Sequence, residues 1–153
     1  MLGCPATYYA YNVTRTCLQH CLPPFFADPS TLTCVPACPP DTLTYADSNL
    51  RKCMPGCSNY TVNTTTTIYY ADNASLHCVA KCPELPSRFY GYNGTNQCLE
   101  TCPIGTYGDN DTRLCLDRCI FQTPKFTWMD SLSNFCVTVC PYGYYADNKT
   151  GFC

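Results

Sequence analysis

Apolar residues along the chain fall in short, phased clusters and never in long runs. A typical stretch reads Tyr-Tyr-Ala, then Asp-Asn-x-Thr, then Cys-Val. That is an apolar arm, a polar tip and a second apolar arm. Asp and Asn bond their own backbone two residues on and tolerate left-handed conformations, so the tip is a tight turn. Aromatic and β-branched residues on either side suit short strands. The pattern therefore predicts a two-stranded hairpin. With a two-residue turn, Cys153 falls opposite Tyr144, and Cys140 has to fold back to reach it.

The hairpin pattern recurs eight times. Cysteines stand at 4, 17, 21, 34, 38, 53, 57, 78, 82, 98, 102, 115, 119, 136, 140 and 153, and every second gap is Cys-x-x-x-Cys. The intervening segments hold 12, 12, 14, 20, 15, 12, 16 and 12 residues. The repeats are 4–20, 21–37, 38–56, 57–81 (with a long insertion), 82–101, 102–118, 119–139 and 140–153. Aligned on the second cysteine, each has an aromatic eight residues before it: Tyr9, Phe26, Tyr45, Tyr70, Tyr90, Tyr107, Trp128 and Tyr145. Six before it stands Asp28, Asp47, Asp72, Asp109, Asp130 or Asp147 in six copies. Three before it a hydroxyl stands in seven: Thr14, Thr31, Ser75, Thr95, Thr112, Ser133 and Thr150, with Leu50 the exception. Insertions belong in the entry arm, where added loop length costs little entropy.

A lone hairpin is marginal in water, and a disulfide closing a loop of this size adds ~3 kcal/mol. The phased aromatic is expected to pack on its own disulfide and on the next repeat, replacing a conventional core with a thin spine. The expected fold is a small disulfide-rich, mostly β or irregular chain, an elongated rod of eight tandem hairpin-like modules. Three cysteine pairings fit. The favoured one lies within repeats (Cys4–Cys17, Cys21–Cys34, Cys38–Cys53, Cys57–Cys78, Cys82–Cys98, Cys102–Cys115, Cys119–Cys136, Cys140–Cys153), since it needs no partner repeat and tolerates unequal lengths. The others are first-to-third with second-to-fourth over two repeats (Cys4–Cys21, Cys17–Cys34), and bonds across each Cys-x-x-x-Cys.

Seven Asn-x-Ser/Thr acceptors occur, at Asn12, Asn59, Asn63, Asn73, Asn93, Asn110 and Asn148. With ten Asn and 27 Ser plus Thr in 153 residues, chance predicts fewer than two. Asn12, Asn73, Asn93, Asn110 and Asn148 share one repeat position, in the turn. Glycans there stand out from the tips and shield strand edges. Thr64–Thr67 is a candidate for O-glycosylation.

Composition sets the compartment. Sixteen cysteines in 153 residues point to an oxidising, secreted or cell-surface setting. Charged residues make up 13%, and the net charge of −2 gives no reason to expect nucleic acid. No stretch has the roughly 18 apolar residues of a membrane span. His20 and His77 each adjoin a cysteine, but every linker repeats the same spacing, which favours disulfides over zinc. One carboxylate per repeat falls short of the six to eight oxygens calcium takes. No catalytic arrangement or cofactor motif stands out, so the chain is expected not to be an enzyme.

Read from end to start, Cys153-Met1-Leu2-Gly3-Cys4 is another Cys-x-x-x-Cys and matches Cys53-Met54-Pro55-Gly56-Cys57. Residues 1–3 would complete the linker after repeat 8 of a preceding copy. The expectation is one period of a longer array, or identical subunits abutting end to end or laterally.

Cys-Pro-x-Gly-Thr-Tyr-x-Asp-x-x-Thr-x-x-Cys-x-x-x-Cys, at Cys102 to Cys119 and nearly so from Cys140, resembles the growth-factor-receptor cysteine-rich (furin-like) repeats. It is most similar to the tandem arrays of surface proteins in ciliates and other protists. The resemblance implies an elongated rod of small disulfide modules outside the cell. The expected function is a structural glycoprotein, repeat unit or subunit of a glycan-coated filament or coat. The alternative is the stalk or ligand-binding ectodomain of a receptor, with a site around Asn59–Tyr70 or Phe121–Met129.

Overall fold

The computed structural model describes residues 3–85, 87–122 and 125–153. Met1 and Leu2 of the end-to-start linker, and residues 123 and 124 of the second receptor-type segment, lie outside the described residues. Two compact halves, Met1–Ala80 and Lys81–Cys153, carry repeats 1–4 and 5–8. All sixteen cysteines are bonded, and every bond lies within a repeat: Cys4–Cys17, Cys21–Cys34, Cys38–Cys53, Cys57–Cys78, Cys82–Cys98, Cys102–Cys115, Cys119–Cys136 and Cys140–Cys153.

Seven repeats form a hairpin of three-residue strands. In the N-terminal half these are β1 (Tyr9–Tyr11) with β2 (Thr16–Leu18), β3 (Phe26–Asp28) with β4 (Thr33–Val35), β5 (Tyr45–Asp47) with β6 (Lys52–Met54), and β9 (Tyr70–Asp72) with β10 (His77–Val79). In the C-terminal half they are β11 (Tyr90–Tyr92) with β12 (Gln97–Leu99), β13 (Tyr107–Asp109) with β14 (Leu114–Leu116), and β17 (Trp128–Asp130) with β18 (Phe135–Val137). The insertions do lie in entry arms. Repeat 3 has a 3-10 turn at Pro40–Thr42, repeat 4 a small hairpin of β7 (Tyr60–Val62) and β8 (Thr65–Thr67), and repeat 7 the pair β15 (Phe121–Gln122) and β16 (Lys125–Phe126).

The turn is longer than a two-residue tip. Asp28 pairs with Thr33, Asp72 with His77 and Asp109 with Leu114, leaving four residues in each loop. The second cysteine consequently faces the residue after the aromatic: Ala27 opposite Cys34, Ala71 opposite Cys78. The last loop residue is the physical reason. Arg15, Leu32, Arg51, Leu76, Asn96, Arg113, Asn134 and Gly151 all have φ between 52° and 79°. This left-handed position costs an L-residue roughly 1–2 kcal/mol, and it lets the N–H of Leu76, Arg113, Asn134 and Gly151 close back on the turn aspartate's carbonyl.

The same left-handed residue joins the repeats. Its carbonyl points out of the hairpin and accepts the N–H of the residue after the aromatic in the preceding repeat. Ala10 donates to Leu32, Ala27 to Arg51 and Ala46 to Leu76, each at 2.8 Å. Gly91 donates to Arg113 at 2.8 Å, Gly108 to Asn134 at 2.9 Å and Met129 to Gly151 at 2.8 Å. Within the halves, β1, β3, β5, β11 and β13 thus pair antiparallel with their own second strand and parallel with that of the following repeat. Within the N-terminal half the order is β2-β1-β4-β3-β6-β5-β10-β9, and within the C-terminal half β12-β11-β14-β13-β18-β17.

The phased aromatic sits on the next repeat's disulfide. Phe26 packs on Cys38, Cys53 and Ala46. Tyr45 packs on Cys57, Cys78 and Ala71, Tyr90 on Cys102 and Cys115, and Tyr107 on Cys119 and Cys136. It then reaches across to a second neighbour. Phe26 meets His77 edge-on at 6.0 Å, Tyr90 meets Phe135 at 5.5 Å and Tyr107 meets Phe152 at 6.1 Å, each two repeats away. The residue crossed on the way has to be small. A Cβ on Gly108 would lie 2.8 Å from Phe135 and 3.1 Å from Tyr90. Seven of the eight repeats have Ala or Gly there.

Candidate functional site: the turn tips and the stacking faces

Six of the eight tips are built around an aspartate. The Asp28 carboxylate accepts the Ser30 N–H and the Ser30 and Thr31 hydroxyls. Asp72 accepts Ala74 N–H, Ser75 N–H and the Ser75 hydroxyl. Asp109 takes the N–H and hydroxyl of Thr112, Asp130 the Leu132 N–H and Ser133 hydroxyl, and Asp147 the Lys149 N–H and Thr150 hydroxyl. Burial raises the Asp28 pKa, yet its bonds to Thr31 and Ser30 outweigh this and hold it below the usual carboxylate value. Bonds from Lys149 and Thr150 likewise lower Asp147.

Repeat 3 breaks the rule and is repaired from outside. Leu50 has no hydroxyl, so Asp47 accepts the Asn49 and Leu50 N–H groups on one oxygen. Its other oxygen accepts the hydroxyl of Tyr60, 2.7 Å away on the inserted hairpin of repeat 4. Burial and the Asp47 carboxylate push the Tyr60 phenol far up. Repeats 1 and 5 replace the aspartate with Tyr11 and Tyr92. Tyr11 stacks edge-on against Phe25 at 5.2 Å, and Tyr92 lies where a Cβ on Gly94 would be 2.6 Å from its ring.

All seven sequon asparagines are exposed. Asn12, Asn73, Asn93, Asn110 and Asn148 lie in the four-residue loops, while Asn59 and Asn63 belong to the insertion, together with Thr64–Thr67 around the β7–β8 turn. Two of them are oriented by the preceding repeat's aromatic. Tyr45 donates its hydroxyl to Asn73 Oδ1 at 2.5 Å, and Tyr90 to Asn110 Oδ1 at 2.7 Å. An N-glycan attaches to the amide nitrogen, so a bond to Oδ1 leaves the attachment atom free of that contact.

The left-handed residue adds its side chain to the stacking face. Arg51 lies over the Phe26 ring at 5.1 Å and Arg113 over Tyr90 at 5.4 Å, contacts worth roughly 0.5–2 kcal/mol. Arg113 also donates to the carbonyls of Pro83 and Phe89, fixing the entry arm of repeat 5. Leu76 does the same covering job at Tyr45. Neither the left-handed residue nor the small residue figured among the sequence-derived sites. Alanine or glycine after the aromatic was the readable signal for the second. Asn96, Asn134 and Gly151 were a partial signal for the first, diluted by Arg and Leu.

His20 is exposed, while His77 contacts the Ser75 carbonyl at 2.7 Å and the Phe26 ring. Among the described residues no three His, Cys, Asp or Glu side chains gather as a metal requires, and no helix is long and apolar enough to cross a membrane. Recesses between repeats are open grooves, one of them lined by Asp109, Asn110, Asp111, Thr127, Ser133 and Phe135. No family model, curated protein or solved structure matches the chain.

Proposed function

We propose that this chain is a structural extracellular glycoprotein, the repeat unit or subunit of a glycan-coated filament or cell-surface coat. The observation that carries the reading is the division of labour within each repeat. One side is spent on identical stacking contacts with the neighbours, and the tip carries an exposed asparagine in an Asn-x-Ser/Thr triplet in five of eight copies. Eight disulfides in a chain without free thiols suit an oxidising exterior. The structure concentrates its fixed chemistry in stacking, as a coat or fibre requires.

Electron microscopy of the native material is the test, together with glycosidase treatment of the purified chain. Filaments with a period on the order of 100 Å, from at most ~3.3 Å per residue over eight four-residue linker steps, and a mass loss on removal of N-glycans support the reading. Isolated compact particles overturn the filament. An unchanged mass overturns the glycan coat.

A further inference from the structure

Resting on the glycan-coat reading above, we infer that the grooves beside Asn93 and Asn110 seat the first N-acetylglucosamine of each asparagine's own glycan. The seated sugar then braces the junction with the following repeat. The two grooves are equivalent. One lies between the tip of repeat 5 and the end of β14 in repeat 6, with Asn93 in its wall beside Tyr92, Leu116 and Asp117. The other lies between the tip of repeat 6 and β18 of repeat 7, with Asn110 in its wall beside Phe135, Val137 and Val139. Their volumes are about 440 and 530 Å³, within the roughly 300–1,000 Å³ of small-molecule sites. Both junctions are interior to the chain, with a repeat before and after each.

The walls fit an amino sugar. A pyranose ring presents C–H groups on its faces and hydroxyls at its rim, so its seat needs an apolar patch beside a few polar groups. At Asn93 the patch is Leu116 with the Tyr92 ring, which lies so close over Gly94 that a Cβ there would be 2.6 Å away. The exposed Asp117 carboxylate supplies the polar side. At Asn110 the patch is Phe135, Val137 and Val139, the last 79% exposed, and the Ser133 and Thr138 hydroxyls lie beside them. The attachment atom is also oriented. Tyr90 of repeat 5 donates to Asn110 Oδ1 at 2.7 Å, and the amide carries Nδ2 on its other edge, so the sugar leaves on the side away from that bond. Covalent attachment supplies what a lone sugar contact lacks. A ligand tethered at the wall meets its seat at an effective concentration in the roughly millimolar range of short linkers.

The test compares two forms of the secreted, disulfide-bonded chain. One is trimmed by an endoglycosidase to a single N-acetylglucosamine per site, and the other is freed of sugar by an amidase. In the trimmed form, nuclear Overhauser contacts are expected from the acetyl methyl at Asn110 to the Val137 and Val139 methyls. The acetyl methyl at Asn93 should give them to the Leu116 methyls and the Tyr92 ring. The Gly91 and Gly108 amides bond across these two junctions. Their hydrogen exchange should be about fourfold slower in the trimmed than in the sugar-free form, the factor that burying one methylene group supplies. Val139→Ser, a change at an exposed position, should leave the sugar-free chain as stable as the parent. It should remove most of the gain at Gly108 and spare the gain at Gly91. Three results each overturn the inference and leave the glycan coat standing: contacts confined to the sugar's own asparagine, equal exchange with and without sugar, or a Gly108 gain that Val139→Ser leaves intact. An intact mass showing no sugar at Asn93 and Asn110 overturns the coat reading at these sites and the inference with it.

Discussion

Repeats 3 and 8 share a sequence, Tyr-Ala-Asp in the first strand and a cysteine seven residues after the alanine. They do not share a structure. In repeat 3, Tyr45 is buried, Ala46 has no exposed surface and Asp47 is 1% exposed. In repeat 8 Tyr145 and Asp147 stand in solvent and no strand forms over 145–147. Both have the disulfide and the aspartate turn. What differs is cover: repeat 4 lies over Tyr45, and no described residue buries Tyr145. A repeat therefore has an intrinsic part, the staple and the tip, and a borrowed part, the cover from its neighbour, which is the energetic form of a one-dimensional stack.

The sharpest way to break that comparison is the aromatic itself. Tyr45→Ala removes a buried ring that rests on Cys57, Cys78 and Ala71, and should cost roughly 3–5 kcal/mol by analogy with buried Phe or Trp truncations. Tyr145→Ala should fall within about 0.5 kcal/mol, as exposed substitutions do. Urea unfolding measures both. Similar losses would mean that Tyr145 is covered in solution and that the contrast is wrong.

Next in size are the staples. Replacing Cys38 and Cys53 together by serine should cost about 3 kcal/mol in lost loop closure, with more from the Phe26 cluster that both cysteines join. Replacing Cys140 and Cys153 removes a closure of similar length, separation 13 against 15, with little packing beside it. Hydrogen exchange should show the first loss spreading to the amides of Ala27 and Ala46, which bond across junctions. The second should stay within repeats 7 and 8. Equal spread from both would count against a stack with nearest-neighbour terms.

Much of this division was legible in the sequence. Phased aromatics, turn aspartates and hydroxyls are side-chain choices, and side chains are what a sequence prints. The four-residue loop was not, because its cause is a backbone state adopted by Leu32 and Arg51 as readily as by Gly151. Counting a two-residue tip put Cys153 opposite Tyr144, two residues away from the alanine position that the four-residue loop places opposite the second cysteine. The aromatic was expected on its own disulfide as well as on the next repeat, and only the next repeat's disulfide joins it in these clusters, for a related reason. Which disulfide a ring rests on is set by parallel pairing between repeats, and no local pattern encodes that. Leu50 looked like a plain exception, since its compensation by Tyr60 comes from another repeat's insertion.

That compensation offers a finer test of borrowed against intrinsic support. Tyr60→Phe deletes the hydroxyl on the Asp47 carboxylate and should cost about 1.5–3 kcal/mol, the range for hydrogen bonds to charged groups. Leu50→Thr in the same background restores the hydroxyl that repeats 2, 6 and 8 carry at that position, and should recover most of the loss. Thermal unfolding of the single and double variants is the measurement. No loss from Tyr60→Phe would show that Tyr60 works through its ring contact with Tyr69, at 5.7 Å, and not through Asp47.

The smallest expected effect is acid sensitivity, and it divides the two classes of tip. Asp28 is buried and Asp147 is exposed, yet both carboxyls titrate below their ordinary value because of bonds inside the turn. A carboxylate whose folded pKa lies below its unfolded value of about 3.9 stabilises the fold fully above that pH. The contribution fades as pH falls through the folded pKa, because the unfolded chain then binds the proton more readily. Stability of the whole chain should therefore decline below about pH 4, and Asp28→Asn should remove part of that decline while lowering stability at neutral pH. Asp147→Asn should leave global unfolding nearly unchanged at every pH. Its effect should appear as faster exchange of the Gly151 amide, which closes on the Asp147 carbonyl, because an exposed tip can open alone. A global acid shift from Asp147→Asn would instead mean that the last tip is held by more than its own turn.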